Sequence, residues 1–409
     1  MSQAMTVVIV GAGAAGITVA AGLRRRQPAL SVILIDPAAT HYYQPAFTLV
    51  GAGVYDFERT QRAQADLIPA GAEWLRDRVV GFQPEQQTLA LAAGPQVHYD
   101  HLVLCPGIQL DWDKVAGLRE ALGRNGVCSN YSPDHVTYTW DCLRSFGGGA
   151  ALFTQPPVPI KCAGAPQKIA YLAADYWRRR GVMAHAHLHF LSAAATLFSV
   201  PYFSSALEKV AARHGIQILL QHNLVAVNGA KRIATFERTG RDGAKERLEM
   251  EFEMLHATPP QSAPDFIKQS PFANAAGWVD VNPNTLQHVK YANVFSLGDA
   301  SSAPTSKTAA AIRKQAPVVV NNILAMAAGR SPSPGYDGYT SCPLTTSLNT
   351  VMLAEFSYDG RVTPTFPLRP DRERLIWWLL KKYGLPRLYW DYMLKGHEWD
   401  IPHRPYPPS

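Results

Sequence analysis

The first 36 residues alternate between apolar runs and small or polar residues in the order strand, turn, helix, strand. Residues 5–10 read MTVVIV, a glycine-rich turn follows, residues 14–26 join small apolar residues to a basic end, and residues 31–35 form a second apolar run. Short apolar runs bounded by turn residues are typical of buried strands, whereas a longer run of small residues favours a helix. The pattern therefore predicts a complete βαβ unit.

The turn of this unit has the spacing Gly-x-Gly-x-x-Gly, at Gly11, Gly13 and Gly16. The first two glycines permit a tight turn and close approach of the backbone to a pyrophosphate, and the third permits close packing of the helix on the sheet. The helix N-terminus, at Ala14 and Ala15, supplies amide donors and a favourable dipole. Asp36 ends the second strand, where a carboxylate can hold ribose hydroxyl groups. We predict a dinucleotide site, because a turn that merely connected strand to helix would leave Asp36 without a role.

A second segment favours FAD over NAD as the dinucleotide. Residues 293–299 read NVFSLGD, a predicted strand ending in Gly298 and Asp299, and a helix of small residues follows from about Ser306. This arrangement resembles the second FAD motif of flavoproteins with two dinucleotide folds, in which the Asp contacts the ribityl chain. The helix would aim its N-terminal amides at the flavin. Gly107, at the end of the predicted strand 101–107, and Lys307 complete the predicted cofactor set.

Residues 150–180 predict another strand, loop and helix, but with a different turn. The loop carries three prolines, Lys161 and Cys162 in place of the glycines that a pyrophosphate needs. This predicts that NAD(P)H is not the electron donor. Cys162 lies just before a helix expected to begin at Pro166, and the helix amides with Lys161 and Lys168 would lower the pKa of its thiol. From this segment alone, an activated thiol and an inert cysteine near a domain interface are equal alternatives.

Composition and charge limit the kinds of partner that we expect this chain to bind. At 409 residues the chain fits two or three domains, and its net charge of +7 suits nucleic acid, an anionic membrane or small anions. The last 49 residues combine nine Lys/Arg with nine aromatic residues, and no nucleic-acid module is recognisable, so we expect a membrane surface and no nucleic acid. Five cysteines without a CxxC pair indicate neither a metal site nor a disulfide scaffold. No apolar run is long enough to predict a transmembrane helix.

Motifs along nearly the whole chain match those of one family. They include KCAGAPQK at 161–168 and YDGYTSCPL at 336–344, with further segments at 41–53, 127–132, 256–260, 277–281 and 304–311. On these motifs the chain resembles the sulfide:quinone oxidoreductases, particularly the two-cysteine type that includes the mitochondrial enzyme. The resemblance implies that Cys162 and Cys342 are the redox cysteines. Cys128 has the context of the two-cysteine type, and we interpret it as structural.

The resemblance also implies partners and a mechanism. Sulfide would be the electron donor, a membrane quinone the acceptor, and FAD the carrier between them. Hydrosulfide would attack Cys342 of a disulfide or sulfur-bridged pair, leaving a persulfide there and freeing Cys162 as a thiolate beside the flavin. The sulfane sulfur would pass to a thiol, sulfite or another sulfide. Two alternatives are an NADH:quinone oxidoreductase of the same fold, against which the loop at 155–166 argues, and a non-catalytic flavin-binding membrane adaptor with structural cysteines.

Residues 375–396 predict two short amphipathic stretches broken at Gly384-Leu385-Pro386. Trp and Tyr favour the headgroup boundary, and Lys and Arg favour anionic lipid, so we predict interfacial docking. The alternative is a helical hairpin packed on the flavin domain or in a dimer interface. A quinone would approach the flavin from the lipid, with its ring predicted to lie among Phe356, Trp377 and Tyr389.

The predicted fold class is α/β, a two-dinucleotide-fold flavoprotein with two Rossmann-like domains and a C-terminal membrane-docking segment. We predict an FAD domain from residues 1–115 and 265–345, a second Rossmann-like domain without a pyridine-nucleotide glycine loop at 116–264, and a quinone and membrane segment at 346–409. The first strand begins almost at the N-terminus, with no visible presequence. This predicts a peripheral protein of a prokaryotic inner membrane.

Overall fold

The framework of the molecule is a pair of five-stranded parallel sheets. The computed structural model describes residues 5–240, 242–398, 401–402 and 405–406. The first sheet has the spatial order Val294–Ser296, His101–Leu104, Thr6–Val10, Ser31–Ile35, Glu73–Leu75. The second has the order Val127–Cys128, Met254–His256, Gly149–Gln155, Ala186–Ser192, Ile216–Leu220. The predicted α/β class with two Rossmann-like sheets is confirmed.

Helices connect these strands. The longer helices are Ala14–Arg26, Val136–Ser145, Ala165–Arg179, Pro201–Arg213 and Ala309–Ala327, and the shorter ones are Phe47–Gly51, Leu118–Ala121 and Asp265–Lys268. The helix Ala165–Arg179 begins one residue before the predicted Pro166. Proline is tolerated in a first turn because its missing N–H has no partner there. Arg178 and Arg179 occupy the last turn, where positive charge favours the helix dipole.

Smaller antiparallel sheets complete the fold. Two have three strands each, at His222–Asn228, Ile233–Thr239, Lys245–Glu251 and at Val79–Gln83, Thr88–Leu91, Val97–His98. Three are strand pairs, Thr40–Tyr42 with Gln61–Ala63, Gln109–Leu110 with Gln261–Ser262, and Thr340–Thr345 with Val351–Phe356. The last pair carries Cys342 and is called the cysteine hairpin below.

Each large sheet has its own apolar core. The first contains the strands and helix of the N-terminal unit, and the second contains the helix Ala165–Arg179. The cysteine hairpin buries Cys342 and Leu344 in the second core, although its first strand lies in the range predicted for the FAD domain. The division into 1–115 with 265–345, 116–264 and 346–409 stays a prediction.

The C-terminal segment is helical from Leu375 to Lys395, so the predicted break at Gly384-Leu385-Pro386 is wrong. Standard α-helical turns at Leu375–Leu379 and Leu385–Arg387 alternate with wider π turns at Leu380–Gly384 and Leu388–Tyr392. Proline lacks an N–H and clashes with the carbonyl four residues back in an α-helix. In a π turn each N–H bonds five residues back, and such turns flank Pro386 on both sides. Within the described ranges, no helix is long and apolar enough to cross a membrane.

Candidate functional site

Two of the three glycines in the N-terminal turn are required by packing. Gly11 has a φ of +100°, and a Cβ there would lie 2.5 Å from the carbonyl oxygen of Cys105. A Cβ on Gly16 would lie 1.9 Å from the carbonyl oxygen of Gly11. Gly13 differs, because nothing lies within 4 Å of a Cβ built there. The turn thus leaves open space in front of the helix that begins at Ala14.

Asp36 lies beside this turn, at the end of the second strand. Its carboxylate accepts hydrogen bonds from the backbone N–H groups of Ala12, at 2.7 Å, and Ala38, at 2.8 Å. The carboxylate is therefore held in a fixed orientation next to the open space. Its lone pairs beyond these two bonds can accept further donors.

The second predicted motif meets the same helix. Gly298 has a φ of +71°, and a Cβ there would lie 3.4 Å from the Cβ of Ala15. Burial raises the pKa of Asp299, while the positive charges of Lys307 and Lys161 act in the opposite direction. Gly107 lies three residues beyond the neighbouring strand His101–Leu104, which is shorter than the predicted strand 101–107. It also has a positive φ, +81°, with nothing within 4 Å of its added Cβ.

Lys307 links this motif to the cysteine site. Its ammonium donates to the carbonyl oxygens of Asp299, at 2.7 Å, and Ser301, at 3.1 Å, and lies 4.0 Å from the ring centre of Trp278. Burial lowers its pKa to about 8. Its backbone carbonyl accepts the N–H of Cys162 at 2.8 Å.

The structure brings Cys162 and Cys342 together from distant parts of the sequence. Cys162 has a φ of +52°, an uncommon conformation for a residue with a side chain, and precedes the helix Ala165–Arg179. Cys342 lies fully buried in the cysteine hairpin. Both are free thiols, and a hydrogen bond from Cys342 holds the pKa of Cys162 well below its ordinary value. The same bond and burial raise the pKa of Cys342.

Two buried lysines stabilise negative charge at this pair. The ammonium of Lys168 lies 3.1 Å from the sulfur of Cys162 and further lowers the pKa of that thiol. Burial acts to lower the pKa of Lys168, but negative charge on the two cysteines raises it overall. Lys381, on the C-terminal helix, is 5% exposed. Its pKa is lowered to about 7 by burial and Lys168, against the opposing effect of both cysteines.

Lys381 is a site residue that the sequence interpretation missed. It follows Trp377 and Trp378 by four and three residues, and side chains at these spacings share one helix face. Both tryptophans are buried. The position of a lysine on the same helix face as two tryptophans could have indicated that this lysine is buried. It was missed because the Lys and Arg residues of this segment were interpreted as charges that face lipid.

The chain is similar in sequence to several known proteins. A family model described as pyridine nucleotide-disulphide oxidoreductase matches residues 5–130. The mitochondrial sulfide:quinone oxidoreductase of Mus musculus is 42% identical over 391 residues, which cover 96% of this chain and 86% of that protein. The protein of the same name from Dictyostelium discoideum is 43% identical over 393 residues, covering 95% and 86%. The chain belongs to the sulfide:quinone oxidoreductase family.

A solved structure from the family supports the fold. The sulfide:quinone oxidoreductase of the bacterium Aquifex aeolicus superposes with a TM-score of 0.81 at 20% identity, covering 96% of this chain and 92% of that one. The Mus musculus and Dictyostelium relatives are both named mitochondrial. They give no support to the prediction of a prokaryotic inner membrane.

FAD is the cofactor of sulfide:quinone oxidoreductases, and the residues present fit it. The open space at Gly13, the amides at the start of the helix Ala14–Arg26 and the fixed carboxylate of Asp36 match the needs of a pyrophosphate and a ribose. At the equivalent place in the second sheet, residues 156–164 lead from the strand Gly149–Gln155 to the next helix. This loop lacks the glycine spacing, and it presents Cys162 instead.

The structure does not bring the three predicted quinone residues into one sandwich. The ring of Phe356 lies 5.9 Å from that of Phe198 in the second core. Trp377 lies 4.8 Å from Phe366. Tyr389 belongs to the first core, where its ring lies 4.7 Å from that of Tyr43. Phe356 and Trp377 lie in the second core, whereas Tyr389, further along the same helix, lies in the first. Sequence spacing could not reveal this separation, because the C-terminal helix packs against both cores.

The remaining three cysteines are also buried. Cys105 follows a strand of the first sheet, with its sulfur 3.5 Å from the carbonyl oxygen of Gly11. Cys128 lies on an edge strand of the second sheet and interacts with Cys142. The structural interpretation of Cys128 stays a prediction. Among the residues that the structure describes, no group of three or more His, Cys, Asp or Glu could hold a metal ion.

Proposed function

We propose that this chain oxidises sulfide at Cys162 and Cys342 and passes the electrons to a quinone. The observation that carries the proposal is the buried ammonium of Lys168, 3.1 Å from the sulfur of Cys162. It makes the pair asymmetric, because it favours the thiolate at Cys162 over the thiolate at Cys342. Gly11, Gly13, Gly16, Ala14, Ala15 and Asp36 would hold the dinucleotide part of FAD, and Gly107, Gly298, Asp299 and Lys307 would lie towards its flavin. When bound, FAD accepts two electrons from the cysteine site and gives them to the quinone.

The asymmetry favours attack of hydrosulfide at Cys342 when the two cysteines are joined as a disulfide. The attacking sulfur bonds to the sulfur of Cys342, the disulfide bond breaks, and its electron pair leaves on Cys162. The better leaving thiolate is the one with the lower pKa. Lys168 lies 3.1 Å from that sulfur and stabilises the charge that develops there. The product at Cys342 is a persulfide.

The solvent exposure of the two cysteines favours the opposite order, in which hydrosulfide attacks Cys162. Cys342 is fully buried, whereas Cys162 is partly exposed, so access alone would direct hydrosulfide to Cys162. In that case Cys342 would leave as a thiolate in a fully buried position, where burial opposes negative charge. We therefore favour the order in which charge develops beside Lys168.

Trapping the sulfur distinguishes the two orders. The FAD-loaded, oxidised protein is mixed with sulfide under anaerobic conditions, alkylated with iodoacetamide, digested and examined by mass spectrometry. We expect an alkylated persulfide on the peptide containing Cys342 and a simple alkylated thiol on Cys162. A persulfide found on Cys162 alone would reverse the proposed order, and no persulfide on either peptide would contradict the proposed function.

The persulfide then transfers its outer sulfur to an acceptor. The acceptor's lone pair bonds to the outer sulfur, the bond within the persulfide breaks, and the electron pair remains on Cys342 as a thiolate. We propose a thiol, sulfite or another sulfide as the acceptor class. Lys168 and Lys381 would stabilise the anions of this step, because both are buried beside the pair.

We also propose peripheral docking on a membrane surface, where the quinone resides. The outer face of the C-terminal helix exposes Leu375 by 55%, Ile376 by 56%, Leu379 by 43% and Tyr383 by 50%. These positions share one helix face. Apolar and aromatic side chains on such a face favour the interface of a bilayer.

Charges on this face should release the protein from lipid. Replacing both Ile376 and Leu379 with Glu removes two apolar contacts, so we expect binding to anionic vesicles to fall by at least about tenfold. Sedimentation with the vesicles measures the bound fraction. Leu248→Glu is the matched control, because Leu248 is a similarly exposed leucine on a remote strand, at 39%. Equal vesicle binding by the double variant and the control would contradict docking through this face.

A further inference from the structure

The C-terminal segment, residues 375–398, packs its buried face near the predicted FAD site. The hydroxyl of Tyr389 lies 2.5 Å from Nε2 of His41. Both side chains are only 5% exposed. The ring of Trp390 also lies 5.7 Å from that of His41, in an edge-on arrangement. This is a buried polar contact between the helix and the strand Thr40–Tyr42.

His41 in turn contacts the glycine turn. Burial lowers its pKa to about 4, while interactions with the backbone of Ala12 and the side chain of Gln64 act to raise it. The ring is therefore neutral near pH 7 and carries one N–H. A neutral ring can accept at Nε2 the hydrogen bond that Tyr389 donates, while the ring also interacts with the backbone of Ala12.

Ala12 lies between Gly11 and Gly13, and both its backbone N–H and its backbone carbonyl are hydrogen-bonded. Its N–H donates to Asp36 at 2.7 Å. Its carbonyl accepts from Gln64 Nε2 at 2.7 Å and interacts with His41. The orientation of the peptide groups that face the open space at Gly13 therefore depends on groups outside the glycine motif.

A second contact joins the end of the segment to the helix that follows the turn. A Cβ on Gly396 would lie 2.5 Å from the backbone nitrogen of Gly22. Just beyond it, His397 lies 3.0 Å from Arg25, and Glu398 forms an ion pair with Arg26 at 3.5 Å. The segment thus contacts the helix of the N-terminal βαβ unit directly, and it is connected to the turn through His41.

We infer that Tyr389 is a positioning residue for FAD, acting through His41 on the glycine turn, and not a ring that binds the quinone. The connected series Tyr389, His41, Ala12 would fix the backbone amides on which a pyrophosphate depends. The inference rests on the proposed use of FAD but not on sulfide as the electron donor. Binding of FAD to the FAD-free protein therefore tests it separately from the proposed reaction.

The conservative variant Tyr389→Phe removes only the hydroxyl. A buried hydrogen-bond partner left unsatisfied costs free energy, and we expect the dissociation constant of FAD to rise by about tenfold. Quenching of FAD fluorescence on binding to the FAD-free protein measures it. Tyr383→Phe is the matched control, since Tyr383 lies on the same helix with its side chain half exposed, and it should leave the constant unchanged. An unchanged constant in Tyr389→Phe overturns the inference.

A double-mutant cycle tests whether Tyr389 acts through His41. In a His41→Leu background, the hydroxyl of Tyr389 has lost its partner, so the further change Tyr389→Phe should leave FAD affinity within about twofold of the single variant. Independent, multiplying losses of affinity would show that Tyr389 acts elsewhere and would overturn the inference.

Two other measurements separate positioning from a merely structural role or a quinone role. If Tyr389 only stabilises the fold, Tyr389→Phe lowers the melting temperature of the FAD-free and FAD-loaded proteins equally. If it binds the quinone, the variant raises KM for the quinone with unchanged FAD affinity. Either result contradicts the inference.

A measurement on the unaltered protein applies even where a variant fails to fold. FAD binding should slow amide hydrogen exchange at residues 388–395 as well as in the glycine turn, because the two are connected through His41. Exchange that slows in the turn alone would contradict the proposed connection.

Discussion

The two large sheets use the same strand, turn and helix unit for different chemistry. In the first, residues 11–13 connect the strand Thr6–Val10 to the helix Ala14–Arg26, and in the second, residues 156–164 connect Gly149–Gln155 to Ala165–Arg179. The first turn is narrow and leaves open space at Gly13. The second is longer and places Cys162 beside Lys168 and Cys342.

The difference shows how one backbone unit can serve either a dinucleotide or a thiol. In both cases the turn lies at the carboxyl end of a parallel strand and at a helix N-terminus, a position that favours negative charge. Glycines at the first turn let backbone amides reach a pyrophosphate. The second turn lacks that spacing, and the favoured negative charge is the thiolate of Cys162. A pyridine nucleotide therefore has no corresponding turn in the second sheet.

Removing the sulfur of either Cys162 or Cys342 should have the largest effect on activity. We expect Cys162→Ser and Cys342→Ser each to lower sulfide-dependent quinone reduction by at least about a hundredfold, because a hydroxyl cannot form the disulfide or the persulfide. FAD content, measured by absorbance, should stay unchanged, since the first turn is intact. Cys142→Ser, which alters a buried cysteine outside the pair, is the control. Normal turnover in either redox-pair variant would be incompatible with the proposed site.

A methyl group at Gly13 should affect the first turn selectively. Gly13 has a φ of −74°, which alanine adopts easily, and its Cβ would enter open space. We expect Gly13→Ala to leave the melting temperature of the FAD-free protein unchanged while weakening FAD binding by about tenfold, because the methyl occupies the space predicted for the pyrophosphate.

Two further variants complete this comparison. Gly16→Ala should lower the melting temperature of the FAD-free protein itself, since its Cβ would meet a backbone oxygen at 1.9 Å. Gly147→Ala, at another glycine with nothing within 4 Å, should change neither property. Unweakened FAD binding by Gly13→Ala would show that the open space is not the pyrophosphate site.

Neutralising Lys168 should have a smaller effect, confined to the second turn. Lys168→Met removes the positive charge beside Cys162, so the pKa of that thiol should rise and the thiolate should appear only at higher pH. We expect alkylation of the reduced protein by iodoacetamide to slow several-fold at neutral pH, with its pH profile displaced to the alkaline side. Lys209→Met, at an exposed position on the helix Pro201–Arg213, serves as the control. An unshifted profile would mean that Lys168 does not support the thiolate.

Local sequence patterns predicted the framework well, because its determinants are close in sequence. Gly11, Gly13, Gly16 and Asp36 lie within one βαβ unit, and the apolar runs on either side are short and well bounded. Gly298 and Asp299 lie in a 3₁₀ turn just after the strand Val294–Ser296, so the predicted strand was correct in place but too long at its end. Such features depend on backbone conformation and periodicity, which a single sequence displays directly.

Features that depend on long-range packing were not predictable in this way. From the residues alone, an activated thiol and an inert cysteine were equal alternatives for Cys162. Its pairing with Cys342 came from a family resemblance. Lys381 and His41 were missed because their roles arise from packing of the C-terminal helix against both sheets. The break predicted at Pro386 was wrong since wider helical turns accommodate proline, and no local pattern distinguishes that outcome from a true helix end.

An anaerobic absorbance titration of the FAD-loaded protein identifies its electron donor and acceptor. Sulfide is added first and a short-chain quinone second, with NADH as the control. We predict that sulfide bleaches the flavin or produces a long-wavelength absorbance band, that the quinone reverses the change, and that NADH has no effect. Bleaching by NADH without any response to sulfide would contradict the assignment of the second turn to thiol chemistry.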